Sequence, residues 1–353
     1  MLTQLNIHGL RNISEMQLAL HPRFNFFYGP NGSGKTSILE AVYLLGAGYS
    51  FRTREITPLV QHGQSTLTVF SKTHAQDTIS VQKSLSGSTI VRRNQQSCQR
   101  ASDLAHSLPC QLFYQDLFQI IDAGPSTRRA VLDWGVFHVE PTYHELWKNY
   151  RYVLKQRNAL LRQKAPRLQY APWDKLLVDL SHELDNLRAT YFVAWSQAFQ
   201  DFLKRLTYIT CAIRYQKGWD KKTSGKTLQV LLDEQFEQDV QRQYTHSGAH
   251  QADILFDADV LKAKHNLSRG QQKIILIALK LAQAQLLSVP CLYLMDDITI
   301  ELDALHVERL FACLQHLPGQ FFLTTGHPMQ PSLYQNELKG AYFAVEQGRC
   351  WVE

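Results

Sequence analysis

The feature that most limits what this chain can fold into is the run Gly29-Pro30-Asn31-Gly32-Ser33-Gly34-Lys35-Thr36. It matches G-x-x-x-x-G-K-[ST] in full. Before it, Phe24, Phe26 and Tyr28 alternate as a strand does. After it, Ile38, Leu39, Val42 and Leu45 keep helical spacing, and Gly46 and Gly48 close the segment. Strand, glycine loop and helix are the context that phosphate binding needs. The glycines let backbone N–H groups turn inward around an anion. The helix presents its positive end to the same point. Lys35 is placed to reach β- and γ-phosphates and Thr36 to put a hydroxyl on Mg²⁺. The pattern therefore predicts an α/β fold with ATP and Mg²⁺ as cofactors.

A second segment supplies acid. Leu292-Tyr293-Leu294-Met295-Asp296-Asp297 is an apolar strand ending in two carboxylates. Alone, it reads equally well as a strand that ends in a solvated acidic turn. Beside a phosphate loop, Asp296 becomes the expected metal ligand and Asp297 the expected base that polarises the attacking water. Lys35, Asp296 and Asp297 are thus the candidate catalytic residues.

A third segment, Leu267-Ser268-Arg269-Gly270-Gln271, opens a helix. Serine and glycine at a helix start make another anion site. One subunit does not need two sites for one γ-phosphate, so the simplest use is in trans, on ATP held by a second copy. In this order the motifs resemble those of the ABC ATPases, whose signature reads L-S-G-G-Q. Arg269 departs from it. By that resemblance, Glu301-Leu302-Asp303 stands at the D-loop, with Ile300 where serine is usual. His327 stands where a switch histidine is often found, and Gln115 in the loop that couples the metal to the body of the protein.

The middle of the chain differs from its flanks. Leu146, Tyr150, Val153, Leu154, Leu160 and Leu161 share one helical face. A break over 166–172 precedes a longer stripe through Leu177, Leu184, Tyr191, Trp195, Phe199 and Leu206. This predicts a short antiparallel coiled-coil-like pair projecting from the main body. Two ordinary core helices of a larger α/β domain are the alternative. Three parts are expected: an N-terminal lobe of the head over 1–134, a helical arm over 135–210, and the rest of the head over 211–353.

Spacing separates branches of the ABC group. The signature begins 231 residues after Thr36. Transporter nucleotide domains have a much shorter interval there, and SMC-type proteins insert a far longer coiled coil. A head with a short helical arm resembles the RecF family of bacterial recombinational-repair proteins, and the likeness covers the whole chain. It is carried by Leu10-Arg11-Asn12, by the stretch from Gly46 to Thr53, by Gly124-Pro125-Ser126-Thr127-Arg128-Arg129 on to Gly135, and by Thr245-His246-Ser247-Gly248-Ala249 on to Asp253. Ala249 stands where proline is common. The resemblance implies an ABC-type P-loop head with an inserted helical domain. It implies a weak, DNA-dependent ATPase and an ATP-dependent homodimer that clamps double-stranded DNA near single-strand gaps. RecR and RecO are the implied partners and RecA loading the purpose, in repair, replication and the SOS response. Two rival readings are the nucleotide-binding subunit of a membrane transporter, and a head that binds ATP without hydrolysing it.

Charge and composition bear on the choice. The net charge of +6 over 353 residues is compatible with a polyanionic partner but does not demand one. From Arg128 to Pro172, nine basic residues face three acidic ones, a local excess as large as that of the whole chain. Lys148, Arg151, Lys155 and Arg162 fall on one helix-spaced strip with Tyr150 and Tyr152 nearby, and are the candidate DNA-binding residues. A solvated helix face is the alternative. Six scattered cysteines without a C-x-x-C pair fit a reducing cytosol. No signal peptide or membrane-length apolar run is seen, so no membrane partner is expected.

Overall fold

The computed structural model describes residues 1–98, 101–256, 267–327 and 338–352. Its central element is a six-stranded sheet in the order β14-β13-β3-β12-β11-β8, where β3 is Phe24–Tyr28, β8 Cys110–Phe113, β11 Cys291–Met295, β12 Gly319–Thr325, β13 Gly340–Glu346 and β14 Arg349–Val352. Every pairing is parallel except β13 with β14. All residues of β3, β11 and β12 are buried, which explains why they read as apolar runs without polar alternation. Phe24 and Tyr293 stack on Phe321 across neighbouring strands at 4.8 and 4.4 Å, and these cross-strand pairs fix the register.

The two faces of this sheet are covered differently. On one lies helix α1, Lys35–Ala47, beneath an antiparallel sheet whose first strands are β1, Leu2–Leu10, β2, Ile13–Ala19, and β4, Thr66–Thr73. Leu292, Leu294 and Phe322 point into this layer with Ile38, Leu39 and Val42. β2 buries only Ile13, Met16 and Leu18, since its other face meets water. On the opposite face, Tyr293, Met295 and Phe321 meet three helices. These are α6, Ala171–Leu206, α9, Arg269–Gln285, and α10, Ala304–His316.

The predicted helical pair is present as α5, Tyr143–Gln163, and α6, joined across 164–170. Pro172 does not break α6. It occupies the first turn, where its missing N–H costs nothing. The second half of α6 belongs to the core of the head, and Trp195 Nε1 donates to Leu279 O of α9 at 2.9 Å. The residue 134/135 boundary expected from sequence falls inside helix α4, Pro125–Val139.

The segments that carried the family likeness tie these parts together. Arg128 on α4 makes a two-pronged ion pair with Asp253, at 2.8 and 2.9 Å. Asp133 accepts from Tyr143 Oη at 2.6 Å and pairs with Arg188 at 2.8 Å. At Gly135 a Cβ would lie 2.1 Å from Tyr191 Oη, so α4 and α6 approach closely only because that residue is glycine. Arg157, fully buried, pairs with Asp174 and Asp239 at 2.7 Å each and donates to Thr245 Oγ1. No described helix is long and apolar enough to cross a membrane.

Candidate nucleotide site

The loop from 29 to 36 leaves the C-terminal end of β3 and enters α1. Gly29, Gly32 and Gly34 have φ of 151°, 77° and 118°, conformations that side chains resist. A Cβ at Gly29 would strike Val345 O at 2.0 Å, whereas Gly32 has nothing within 4 Å. Asn12 supports the loop from below. Its Nδ2 donates to Gly32 O and Ser33 O, both at 3.2 Å, while its Oδ1 accepts from Ser37 Oγ at 3.3 Å. Gly348 N donates to Ser33 O at 2.8 Å. The next residue back, Arg11, grips Glu40 of α1 through two bonds of 2.9 Å. Glu40 is fully buried and also accepts from Ser50 Oγ. The 10–12 and 46–53 segments thus both brace the phosphate helix, a role their sequence did not announce.

The reacting groups come from three neighbouring strand ends. Lys35 Nζ donates to the carbonyls of Gly29 and Pro30 at 2.8 and 3.0 Å. Thr36 Oγ1 lies 3.0 Å from both carboxylate oxygens of Asp296. Thr324 Oγ1, at the end of β12, donates to Asp296 Oδ1 at 2.7 Å and accepts from Asp297 N at 2.8 Å. One hydroxyl therefore orients both acids, and nothing in the sequence singles Thr324 out for this. Burial raises the Asp296 carboxyl above the usual range. The neighbouring Asp297 adds to this, and the two threonine hydroxyls oppose it. Such a group gains from a cation. The side chain of Asp297 has no hydrogen-bond or ion-pair partner among the described residues, and its backbone takes a left-handed turn at φ 45°. A hydroxyl beside a half-buried carboxylate is a hard-oxygen donor pair of the kind Mg²⁺ takes. The buried Ser33 Oγ, without a hydrogen-bond partner among the described residues, fits a loop built to hold further oxygens.

The signature segment sits elsewhere on the surface. Ser268 caps α9 in a reciprocal box with Gln271, at 3.2 and 2.9 Å. Among the described residues no hydrogen bond or ion pair joins 268–271 to 29–36. Gly270 packs on the D-loop, where a Cβ would meet Glu301 O at 2.2 Å. Lys273 Nζ donates to Ile300 O and Asp297 O at 2.7 and 3.2 Å, so the signature helix holds the loop that follows the two acids. Arg269 is exposed. It lies 3.6 Å from Asp122 and 4.8 Å from the Phe118 ring centre. Asp303 caps α10 through His306 N at 2.8 Å. His327 is exposed two residues beyond Thr325, which pairs with Tyr28, so it lies beside the start of the phosphate loop. Gln115 opens a short 3₁₀ turn, Gln115–Phe118, directly after β8, and Phe113 O accepts from Asp296 N at 2.9 Å. The Gln115 side chain lies outside the described residues.

The basic segment resolves into two sets. Lys148, Arg151, Lys155 and Arg162 are exposed on α5, with Lys148 paired to Glu145 at 3.7 Å. Arg128, Arg157 and Arg167 are spent on internal carboxylates, and Arg129 donates to Ala252 O. The local excess counted from sequence therefore overstates the charge shown to a partner. Tyr150 is likewise internal, bonded to His250 at 2.5 Å, and only Tyr152 is exposed.

The model of the RecF/RecN/SMC N-terminal domain matches residues 1–347. The chain belongs to the RecF family. It is 36% identical to the DNA replication and repair protein RecF of Pseudomonas syringae pv. syringae (strain B728a), covering 99% of this chain and 97% of that one. It is 37% identical to that of Escherichia coli O7:K1 (strain IAI39 / ExPEC), with 99% of each covered. The structure of a recombination mediator protein RecF with ATP, from the RecFOR pathway, superposes with a TM-score of 0.83 at 20% identity, covering all of this chain and 97% of that one. An SMC head bound to the C-terminal winged-helix domain of ScpA follows at 0.63 and 16% identity, covering all of this chain and 96% of that one. The fold is thus the ABC-type head shared by RecF and SMC proteins, and the transporter alternative falls away.

Proposed function

We propose that this RecF-family chain is an ATP-gated DNA-binding protein of recombinational repair and replication-fork maintenance. The observation that carries the reading is the chain Thr36–Asp296–Thr324–Asp297, whose last carboxylate has no partner among the described residues. ATP binds along the 29–36 loop, with Lys35 on its β- and γ-phosphates. Thr36 and Asp296 would hold Mg²⁺, with Gln115 close by, and when bound the metal neutralises charge on the phosphate oxygens. Ser268, Arg269, Gly270 and Gln271 of a second copy cap the γ-phosphate, which explains an anion-binding helix start that among the described residues makes no hydrogen bond or ion pair to its own loop. Asp297 takes a proton from water as the water oxygen attacks the γ-phosphorus. The bond to the β-phosphate bridging oxygen breaks, leaving ADP and phosphate. The two halves then separate.

The ATP-joined dimer clamps duplex DNA through the α5 strip, at ends of single-strand gaps. Slow, DNA-stimulated hydrolysis releases it. RecR and RecO are the proposed partners, RecA loading the outcome and the cytoplasm the compartment. The names of the relatives, and the ATP-bound RecF structure, support the reading. Lys35→Ala tests it. ATP binding and ATP-dependent DNA affinity should be lost together in titrations of gapped and duplex DNA over a salt series. ATP-dependent DNA binding retained by this variant would sink the clamp mechanism.

A further inference from the structure

A cleft of about 1260 Å³ opens between the C-terminal end of α1 and the outer faces of α4 and α5. Aromatic side chains line it from both sides: Tyr49 just beyond α1, and Trp134 and Trp147 on α4 and α5. Arg151, Lys155 and Arg162 line the same space. None of these three has a carboxylate partner among the described residues. Among the described residues the only acidic one lining the cleft is Asp133, which Arg188 and Tyr143 already occupy.

This combination selects an occupant. Arg151 already lies over one side of the Trp147 ring, 5.0 Å from its centre. Aromatic rings beside cations that no carboxylate pairs among the described residues match a nucleobase carried on a phosphate chain. The space is larger than the roughly 300–1000 Å³ of a site for one small molecule, so it suits a strand segment better than a free nucleotide. A base offers its faces for stacking only when it has left the duplex. We infer that this cleft receives unpaired nucleotides of a DNA strand, stacking them on Trp134 and Trp147 while Arg151, Lys155 and Arg162 hold their phosphates. The inference rests on the DNA-binding reading above and adds the site that separates gapped from intact DNA. The cleft wall and the phosphate loop are the two ends of α1, so one rigid helix positions both.

The test uses the full-length chain with ATP and Mg²⁺. The adenine analogue 2-aminopurine is placed at the first unpaired nucleotide of a gapped duplex, in the middle of an intact duplex, or supplied as a free mononucleotide. Stacking should quench emission in the gapped DNA only. Trp134→Leu and Trp147→Leu should each lower the preference for gapped over intact DNA by about tenfold, since one base–aromatic stack contributes roughly 1–3 kcal/mol. Trp134→Phe should restore it. If intact duplex does not bind at all, the DNA reading itself fails. If duplex binds but the gapped probe is not quenched, the cleft assignment is overturned, whatever the variants do. Equal quenching of the free mononucleotide would make the cleft a small-molecule pocket and overturn it too.

Discussion

Gly270→Ala separates the trans role of the signature from its role in folding. A Cβ at this position would lie 2.2 Å from Glu301 O, and such contacts are essentially never shorter than 3.0 Å. The helix start and the D-loop must therefore part by about 0.8 Å. The loop cannot yield freely, because Lys273 fixes Ile300 O at 2.7 Å and Glu301 already sits at φ 70°. Overpacking of this kind costs about 1–3 kcal/mol. Alanine in place of helical glycine returns about 0.5–1 kcal/mol. The net change in stability is about 0–2.5 kcal/mol, a few degrees in Tm at most. Function should suffer far more. A phosphate-capping segment displaced by close to 1 Å loses on the order of 10–100-fold in rate. Steady-state phosphate release with saturating ATP and DNA measures the rate, and a thermal melt of the same sample measures the fold. ATP affinity of the monomer should be unchanged. Turnover within twofold of the parent chain, with the melt also unchanged, would refute the packing argument and the role given to the 268–271 segment.

Two further outcomes follow from the same geometry. Replacing Arg151, Lys155 and Arg162 together with glutamine should weaken duplex binding and flatten the plot of log affinity against log salt by about 0.9 for each phosphate no longer neutralised; an unmoved slope would mean that the strip is only solvated. His250 bonds to Tyr150 Oη and Thr245 O, and burial lowers it from 6.5 to about 4. The fold therefore prefers the neutral ring, so this stability is complete above pH 6.5 and declines as pH falls from 6.5 towards 4, by up to about 3 kcal/mol. Melts across that range should show the decline, and His250→Gln should flatten it; a parent chain whose Tm does not move would contradict the assignment.

The parts of the site that the sequence disclosed are those in which a backbone need forces residue identity. Glycines at φ 77° and 118° leave few alternatives, so the 29–36 loop was legible, whereas the acid that ends a fully buried strand read as a metal ligand only beside that loop. Thr324 was not legible. A threonine at a strand end has many ordinary uses, and only the pairing of β11 with β12 brings it to both acids. Asn12 and Glu40 were hidden for the same reason, since their partners are distant in sequence. The charge count over 128–172 misled in the opposite direction. Arg157 looks like its neighbours in sequence, yet it is fully buried between two aspartates from other helices. Helical periodicity found α5 and α6, but did not reveal that Trp195 carries half of α6 into the head.

The central claim is that the 29–36 loop is half of a site completed by the signature of a second copy. Sedimentation velocity on the parent chain and on Ser268→Arg, each with and without ATP, tests it most directly. Ser268 is exposed and removing it as a cap costs only about 1 kcal/mol, so the variant should fold and bind ATP as the parent does. The account predicts a dimer only for the parent chain and only with ATP. A variant that dimerises normally with ATP, or a parent chain that stays monomeric when saturated with it, would contradict the composite site.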